Sequence, residues 1–389
     1  MKIGIIEICE KGHYMVVNAV VKTYASDPNN KVYIFTTAEA ADLIKAQDNT
    51  SAQIEYILMG EQERASDFLA RTHAYQLDRI HLTTVTKYFK SFYHFKPANS
   101  CKIFFHFHNI ELWFESSISI QAKRLWKVFS NYNKEVKIIR QLKYSLKDIW
   151  WDFYRKKFIK KVASDGTKLI ILSEAQRFHL NKYLNASEAI IFPTLIFEPD
   201  QHRDLSVSNT KIRICIPGSV SQGRREYMKL LDILEAHTEY YSANFTIDLL
   251  GFIPQGEQAL FARIKALKAA GLDILYYDYF IDVKQFDIEL YKSDIILSNI
   301  LIDDGKGMQT KETAAVYHMI RGAKPGIFPA GFTLDEDFKD TVVYFETYPL
   351  LHNVFVELQE NRSRVQTLKA AAMQVSLRYA PESLLKRLV

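Results

Sequence analysis

Short apolar runs recur along the chain and alternate with longer segments whose apolar residues fall at helical spacing, a pattern that predicts parallel sheets flanked by helices. In the first half, strands are expected at Ile3 to Ile8, Lys31 to Thr36, Gln53 to Leu58, Arg79 to Thr84, Lys102 to Phe107, Lys168 to Leu172 and Ala189 to Phe192. A polar, irregular stretch from Glu198 to Thr210 then reads as a linker. A second series follows: strand Ile212 to Ile216, helix Arg224 to Tyr240, strand Phe245 to Leu250, helix Gln258 to Ala270, strand Asp273 to Tyr277, helix Lys284 to Tyr291, strand Asp294 to Leu301 and helix Lys311 to Gly322. Within the helix from Arg224, Tyr227, Leu230, Leu231 and Leu234 share one face, as packing on a sheet requires. Further helical patterns run over Val354 to Gln359, Arg364 to Arg378 and Ala380 to Leu388, and Pro381 should redirect the chain between the last two.

The expectation is therefore two doubly wound α/β domains, 1–197 and 211–375, joined by the linker 198–210 and followed by a terminal segment 376–389. A length of 389 residues suits two cores. At 48% apolar and 24% charged residues the composition is that of a folded globular protein, which excludes disorder. The start, Met1 to Ile8, reads as a strand and not a signal peptide, and no apolar run reaches the ~18 residues of a membrane span. Cys9, Cys101 and Cys215 are isolated, without the spacing of a metal site or a disulfide framework, and suit a reducing cytoplasm.

Open parallel sheets bind ligands beyond the carboxyl ends of their strands, so the strand-end loops carry the candidate chemistry. Glu10-Lys11-Gly12-His13-Tyr14 follows the first strand without the GxGxxG of a dinucleotide site. His106-Phe107-His108-Asn109 ends the fifth; its HxH pair lacks a third nearby ligand, so metal is not expected. Pro217-Gly218-Ser219 leads to Arg224 and Arg225 at an expected helix entrance. There the helix dipole opposes cations, and a bound anion would relieve the conflict. Asp303-Asp304-Gly305-Lys306-Gly307-Met308-Gln309-Thr310-Lys311-Glu312-Thr313 concentrates glycines, lysines and hydroxyls where another helix begins, the composition of an anion site. Asp335-Glu336-Asp337, placed past the final strand, reads as a solvated turn and not a metal site.

Charge is unevenly spread. Residues 121–161 hold thirteen Lys and Arg against Glu135, Asp148 and Asp152, a net +10 in a chain whose total is +5. Trp126, Phe129, Trp150, Trp151, Phe153 and Phe158 are interleaved with them, which suits an anionic membrane surface. Nucleic acid would also suit such a face, but no recognised binding motif accompanies it.

Taken together these motifs resemble the GT-B glycosyltransferases, and within that fold family 4 (group 1). Pro217-Gly218 followed by the basic Arg224 is similar to the family's donor-diphosphate loop. Gly251 is similar to its next strand-end glycine, Ser173-Glu174 to its first-domain Ser-Glu, and Gly322-Ala323-Lys324-Pro325 to its glycine-Lys-Pro pattern. The resemblance implies two Rossmann-like domains facing across a cleft, with the last helix crossing back to the first domain. It implies transfer of a sugar from a nucleotide-sugar donor, with retention at the anomeric carbon, and without a metal ion or cofactor. His108 would lie near the sugar hydroxyls, Arg224 and Lys311 would neutralise the leaving diphosphate, and Gly12, Gly218, Ser219, Arg225, Gly251, Thr310, Glu312 and Thr313 would line the donor site.

One departure stands out. The family's paired glutamates, eight residues apart, fall here at Thr310 and His318, with Glu312 the nearest carboxylate. In the family the second glutamate holds the nucleotide ribose, so the change leaves three readings open: a transferase building a surface glycan on a lipid-linked or other acceptor at the inner membrane face, a noncatalytic sugar-nucleotide-binding subunit, and a nucleotide-sugar 2-epimerase.

Overall fold

The structure, a computed structural model, describes residues 1–47, 51–98, 100–114, 138–223, 225–301 and 313–389. It divides into two compact units, Met1–Leu172 with Gln176–Phe192, and Ser173–Ala175 with Pro193–Val389.

The first unit is built on seven parallel strands: β1 (Lys2–Glu7), β2 (Lys31–Thr36), β3 (Ile54–Leu58), β4 (Arg79–Leu82), β5 (Lys102–His106), β6 (Lys168–Ile171) and β7 (Ile190–Ile191), in the order β3-β2-β1-β4-β5-β6-β7. Each lies where the apolar pattern predicts it, within two residues at either end. Strand β1 is buried on both faces, through Ile3, Ile5 and Ile6, which is why it reads as a near-continuous apolar run. The order reverses between β1 and β4, and this is where the sheet opens a crevice at its carboxyl edge.

The second unit carries β8 (Ile212–Cys215), β9 (Phe245–Phe252), β10 (Ile274–Tyr277), β11 (Ile295–Leu297), β12 (Gly326–Pro329) and β13 (Val342–Phe345), in the order β10-β9-β8-β11-β12-β13. Its switch point lies between β8 and β11. The stretch 198–210 is bound into this unit: His202 meets the Gly322 carbonyl, and Asp204 pairs with Lys324 and Lys369.

Several expectations are corrected. The helix after β8 starts at Tyr227, not Arg224, because Arg225 forms an antiparallel bridge with Ile300 and the Glu226 N–H donates to the Asn299 carbonyl. It also breaks at His237 and restarts as Thr238–Asn244. Strand β11 is shorter than Asp294 to Leu301, since Asn299 and Ile300 turn to meet that loop. The helix expected from Lys311 begins at Ala314. Asp335-Glu336-Asp337 does not follow the last strand but lies between β12 and β13, two short strands that the apolar pattern did not reveal. The final helix, Pro381–Leu388, starts on its proline after an extended Ala380, as expected.

Candidate functional site

Beyond β8 the chain runs into Pro217-Gly218-Ser219 with Gly218 at φ +100°, a left-handed conformation that favours glycine. The loop extends the sheet: Gly218 N–H donates to Leu250 O at 2.9 Å and Val220 N–H to Phe252 O at 3.0 Å. Gly251 lies directly against it, where an added Cβ would come within 2.1 Å of Gly218 O and 3.2 Å of Ser219 N. On its other side Gly218 faces Arg225, whose Nη2 lies 2.5 Å from where a Gly218 Cβ would stand. Two glycines and a guanidinium thus share one close-packed corner, with Ser219 exposed beside it.

Buried polar atoms without hydrogen-bond partners among the described residues gather at the same edge: Arg225 Nη1, Ser298 Oγ and Asn299 Nδ2 at the ends of the loops, and His318 Nδ1 on the helix Ala314–Gly322. Among the described residues no carboxylate pairs with Arg225. Burial first, then the charges of Arg321 and Arg225, hold His318 down to about 3, so its imidazole is neutral near pH 7. It packs at a tilt against Phe286, with ring centroids 4.8 Å apart. Thr313 caps its helix, the hydroxyl accepting from the Ala315 N–H. Beside this corner Glu226, Lys229, Asp232 and Tyr348 line an open depression of about 440 Å³ at the carboxyl edge of the sheet.

The structure therefore brings together Gly218, Ser219, Gly251 and Arg225, and places Thr313 at the start of the helix that carries His318. Arg224, Thr310, Lys311 and Glu312 lie outside the described residues. Lys324, in the glycine-Lys-Pro pattern, is buried and bound to Asp204, Ser206 and the Tyr291 carbonyl, a packing role. Glu336 pairs with Lys339 and Asp337 with Arg378, and the described residues hold no cluster of three metal-ligating groups.

In the first unit the corresponding edge gathers Glu7, Gly12, His13, Thr83, Thr84 and His108. His108 Nε2 lies 2.6 Å from the Thr83 carbonyl oxygen, so that nitrogen carries the proton and Nδ1 keeps a lone pair. Burial pushes the ring down to about 4, which keeps it neutral. His13 stacks on it, centroids 5.0 Å apart, and its Nδ1 lies 2.6 Å from Thr84 Oγ1. Gly12 is exposed, and a Cβ there would meet nothing within 4 Å, so its surface is open to solvent. Behind them a buried row runs from His106 to His81 (3.0 Å) and on to the Tyr24 hydroxyl (2.8 Å).

His13, Thr83, Thr84 and Glu7 were not anticipated. Glu7 left a signal, as the single carboxylate in the apolar run Ile3 to Ile8; the threonines and His13 left none, because only the fold places three separate strand ends together.

No protein-family model matches the chain, and no curated protein does. Solved structures do. A glycosyltransferase from Rickettsia africae aligns over 100% of this chain and 96% of its own, with TM-score 0.64 at 12% identity. Anabaena Alr3699/HepE in complex with UDP aligns over 100% and 98%, with TM-score 0.60 at 14% identity. A putative UDP-N-acetylglucosamine 2-epimerase from Listeria monocytogenes also aligns, over 100% and 94%, with TM-score 0.53 at 11% identity. With sheets of seven and six parallel strands in its two α/β units, the chain has the fold of the GT-B glycosyltransferases.

Proposed function

We propose that the protein is a glycosyltransferase of the family 4 type, which moves a sugar from a nucleoside-diphosphate sugar to a glycan or lipid-linked acceptor with retention and without a metal ion. The observation that carries this reading is the corner made by Gly218, Gly251 and Arg225 at the switch point of the second sheet. A diphosphate leaving group gains negative charge as the anomeric bond breaks. Here a guanidinium with an unpartnered buried nitrogen is held against a loop that two close-packed glycines fix in place, with exposed Ser219 beside it to meet phosphate oxygens. Arg224, Lys311 and the first turn at Thr313 would add to that field, and Thr310 and Glu312 would complete the donor side. The depression beside Glu226 and Tyr348 offers room for the nucleoside. HepE, of similar fold, binds UDP, which makes uridine the first base to try.

In the first unit, the lone pair on His108 Nδ1 suits it to accept from a sugar hydroxyl, and the open face at Gly12 suits an acceptor. The basic helical segment would hold the protein on the cytoplasmic face of a membrane during surface-polysaccharide synthesis.

Calorimetry with a panel of nucleoside diphosphates and their sugars, alongside slow donor hydrolysis, tests the reading. Binding with hydrolysis, both lost in Arg225→Ala, is the expected result; no binding to any member overturns it. The neutral His318, where the family has a glutamate, favours a noncatalytic binding subunit as the second reading. Binding without turnover under every acceptor condition would select it. The likeness to a 2-epimerase keeps a third, which epimerised sugar in the hydrolysis assay would reveal.

A further inference from the structure

The carboxyl edge of the first sheet holds an acid that the proposed reaction does not use. Glu7, the last residue of β1, is 1% exposed, and no lysine or arginine pairs with it among the described residues. Its Oε1 accepts from the N–H groups of Cys9 and Glu10, 3.0 Å each. Its Oε2 lies 3.0 Å from Thr83 Oγ1, and that same hydroxyl lies 3.0 Å from the Ile6 carbonyl oxygen. One hydroxyl hydrogen faces two acceptors. The Thr83 carbonyl accepts a hydrogen bond from His108 Nε2–H, and the next residue, Thr84, holds His13.

We propose that Glu7 is a positioning residue that takes up and releases a proton, and that the Thr83-Thr84 pair transmits its charge state to the imidazole of His13, which stacks on His108.

The hydrogen-bond arithmetic gives the two states. With Glu7 ionised, the Thr83 hydroxyl turns its hydrogen to the carboxylate at 3.0 Å, and the Thr84 hydroxyl, which also favours the ionised carboxyl, turns its own the same way. Thr84 Oγ1 then faces His13 as an acceptor, so His13 carries its proton on Nδ1 and leaves Nε2 as a lone pair. With Glu7 protonated, its own O–H donates into the threonine pair, the Thr83 hydrogen turns to the Ile6 carbonyl, and the Thr84 hydrogen turns to His13 Nδ1. The His13 proton then sits on Nε2. The imidazole stays neutral throughout, the proton count changes by the one on Glu7, and His13 changes from acceptor to donor at the atom it presents away from Thr84.

The surroundings suit such a switch near neutral pH. Burial raises Glu7 to about 7, against the hydrogen bonds of Glu10, Thr84, Cys9 and Thr83, which favour the ionised form. Cys9, pushed up to about 12 by burial and by Glu7 itself, stays a thiol. Glu10 and Lys87, 3.9 Å apart, face each other at the mouth of the loop, with Lys87 also on the Cys9 carbonyl. From β2 the contact is the Thr36 hydroxyl on the Glu7 carbonyl, which does not titrate. Burial lowers both His13 and His108, which favours the neutral form of each ring.

The test needs no substrate and no assigned reaction, so it stands apart from the fate of the transferase reading. The ¹⁵N shifts of the His13 ring in the full-length protein report which nitrogen is protonated. A tautomer exchange with a midpoint near pH 7, absent in Glu7→Gln, is the expected result. Thr84→Val should leave the Glu7 carboxyl titrating by ¹³C shift while abolishing the His13 exchange, and it carries the test should Glu7→Gln fail to fold. A His13 ring whose tautomer is constant between pH 5 and 9, or exchanges unchanged in Thr84→Val, overturns the proposal.

Discussion

The Cβ of any residue other than glycine at position 251 would stand 2.1 Å from the carbonyl oxygen of Gly218. Gly218 is itself fixed by its left-handed backbone and by the guanidinium of Arg225 pressed against its open side. Strand β9 and the loop after β8 are therefore locked at van der Waals distance, and the bonds of the Gly218 and Val220 N–H groups to Leu250 O and Phe252 O hold the main chain at Ser219 in place. A preorganised loop of this kind binds an anion without first paying to order itself.

Gly251→Ala should push that loop off its register. An inserted methyl in a close-packed contact costs about 1–3 kcal/mol of stability. Displacement of the loop should weaken nucleoside-diphosphate binding tenfold or more, about 1.4 kcal/mol. Chemical denaturation and calorimetry measure the two separately. Nucleotide affinity equal to the parent's in a folded Gly251→Ala protein would show that the loop does not contact the ligand.

Glu7 should make the first unit less stable as pH rises. Its folded value of about 7 lies above the ordinary 4.5, so the folded state holds the proton more tightly. The benefit is whole below pH 4.5 and is lost progressively as pH climbs to about 7, amounting to roughly 3 kcal/mol. Glu7→Gln should accordingly gain stability relative to the parent at pH 8 and little at pH 4.5, measured by denaturant unfolding at both. Equal differences at the two values would mean the carboxyl is not raised.

The buried histidines act in the opposite direction. His108 is lowered to about 4 and His81 to about 3, chiefly by burial. A depressed histidine contributes stability that is whole above its ordinary 6.5 and is lost as pH falls toward its folded value. Thermal unfolding should therefore drop steeply between pH 6.5 and 4, and His81→Phe, which keeps a ring against Phe104, should soften the slope. An unchanged slope would assign acid unfolding to other groups.

Legibility followed the range of the interactions. Seven apolar runs predicted the seven strands of the first unit because parallel strands buried on both faces carry their signature locally. Gly326–Pro329 and Val342–Phe345 escaped because four residues, one run bounded by glycine and proline, carry too little pattern. Gly218 and Gly251 were visible as strand-end glycines, yet the reason for them, mutual contact, belongs to tertiary structure. Arg225 is expected both at a helix entrance and in the donor site; its bridge to Ile300 moves that entrance to Tyr227. Glu7, His13, Thr83 and Thr84 come from different strand ends, and no spacing in the chain announces their meeting.

Catalysis, if cations and main-chain donors carry it, should not need a metal. Turnover in the presence of EDTA should match turnover without it, and a strict magnesium requirement would replace the Arg225-centred account of the leaving group.

The membrane proposal now has a sharper test, because the structure sorts the basic residues by what they already hold. Lys161 donates to the Tyr93 carbonyl at 2.9 Å and also to that of Phe95, and Arg155 pairs with buried Asp152. Phe158 packs in the core against Phe92 and Phe105, and Trp151 lies against Phe89. These groups are committed to the fold. Lys156 also pairs with Asp152, at 3.0 Å. Phe153 is 52% exposed, and Lys157 and Lys160 are exposed with it on the helix Ile138–Ser164. The helix Phe89–His94 packs alongside and adds exposed Lys90, with Lys87 and Lys96 flanking it. At about 1 kcal/mol per well-placed cation, this face should bind vesicles rich in anionic lipid, ignore neutral ones, and weaken with salt. Replacing Lys90, Lys157 and Lys160 with glutamine should release the protein from such vesicles in sedimentation while leaving thermal stability and nucleotide binding unchanged. A triple variant that sediments like the parent, or a parent that ignores anionic vesicles at low salt, would remove the support for a lipid-linked acceptor and favour a soluble one.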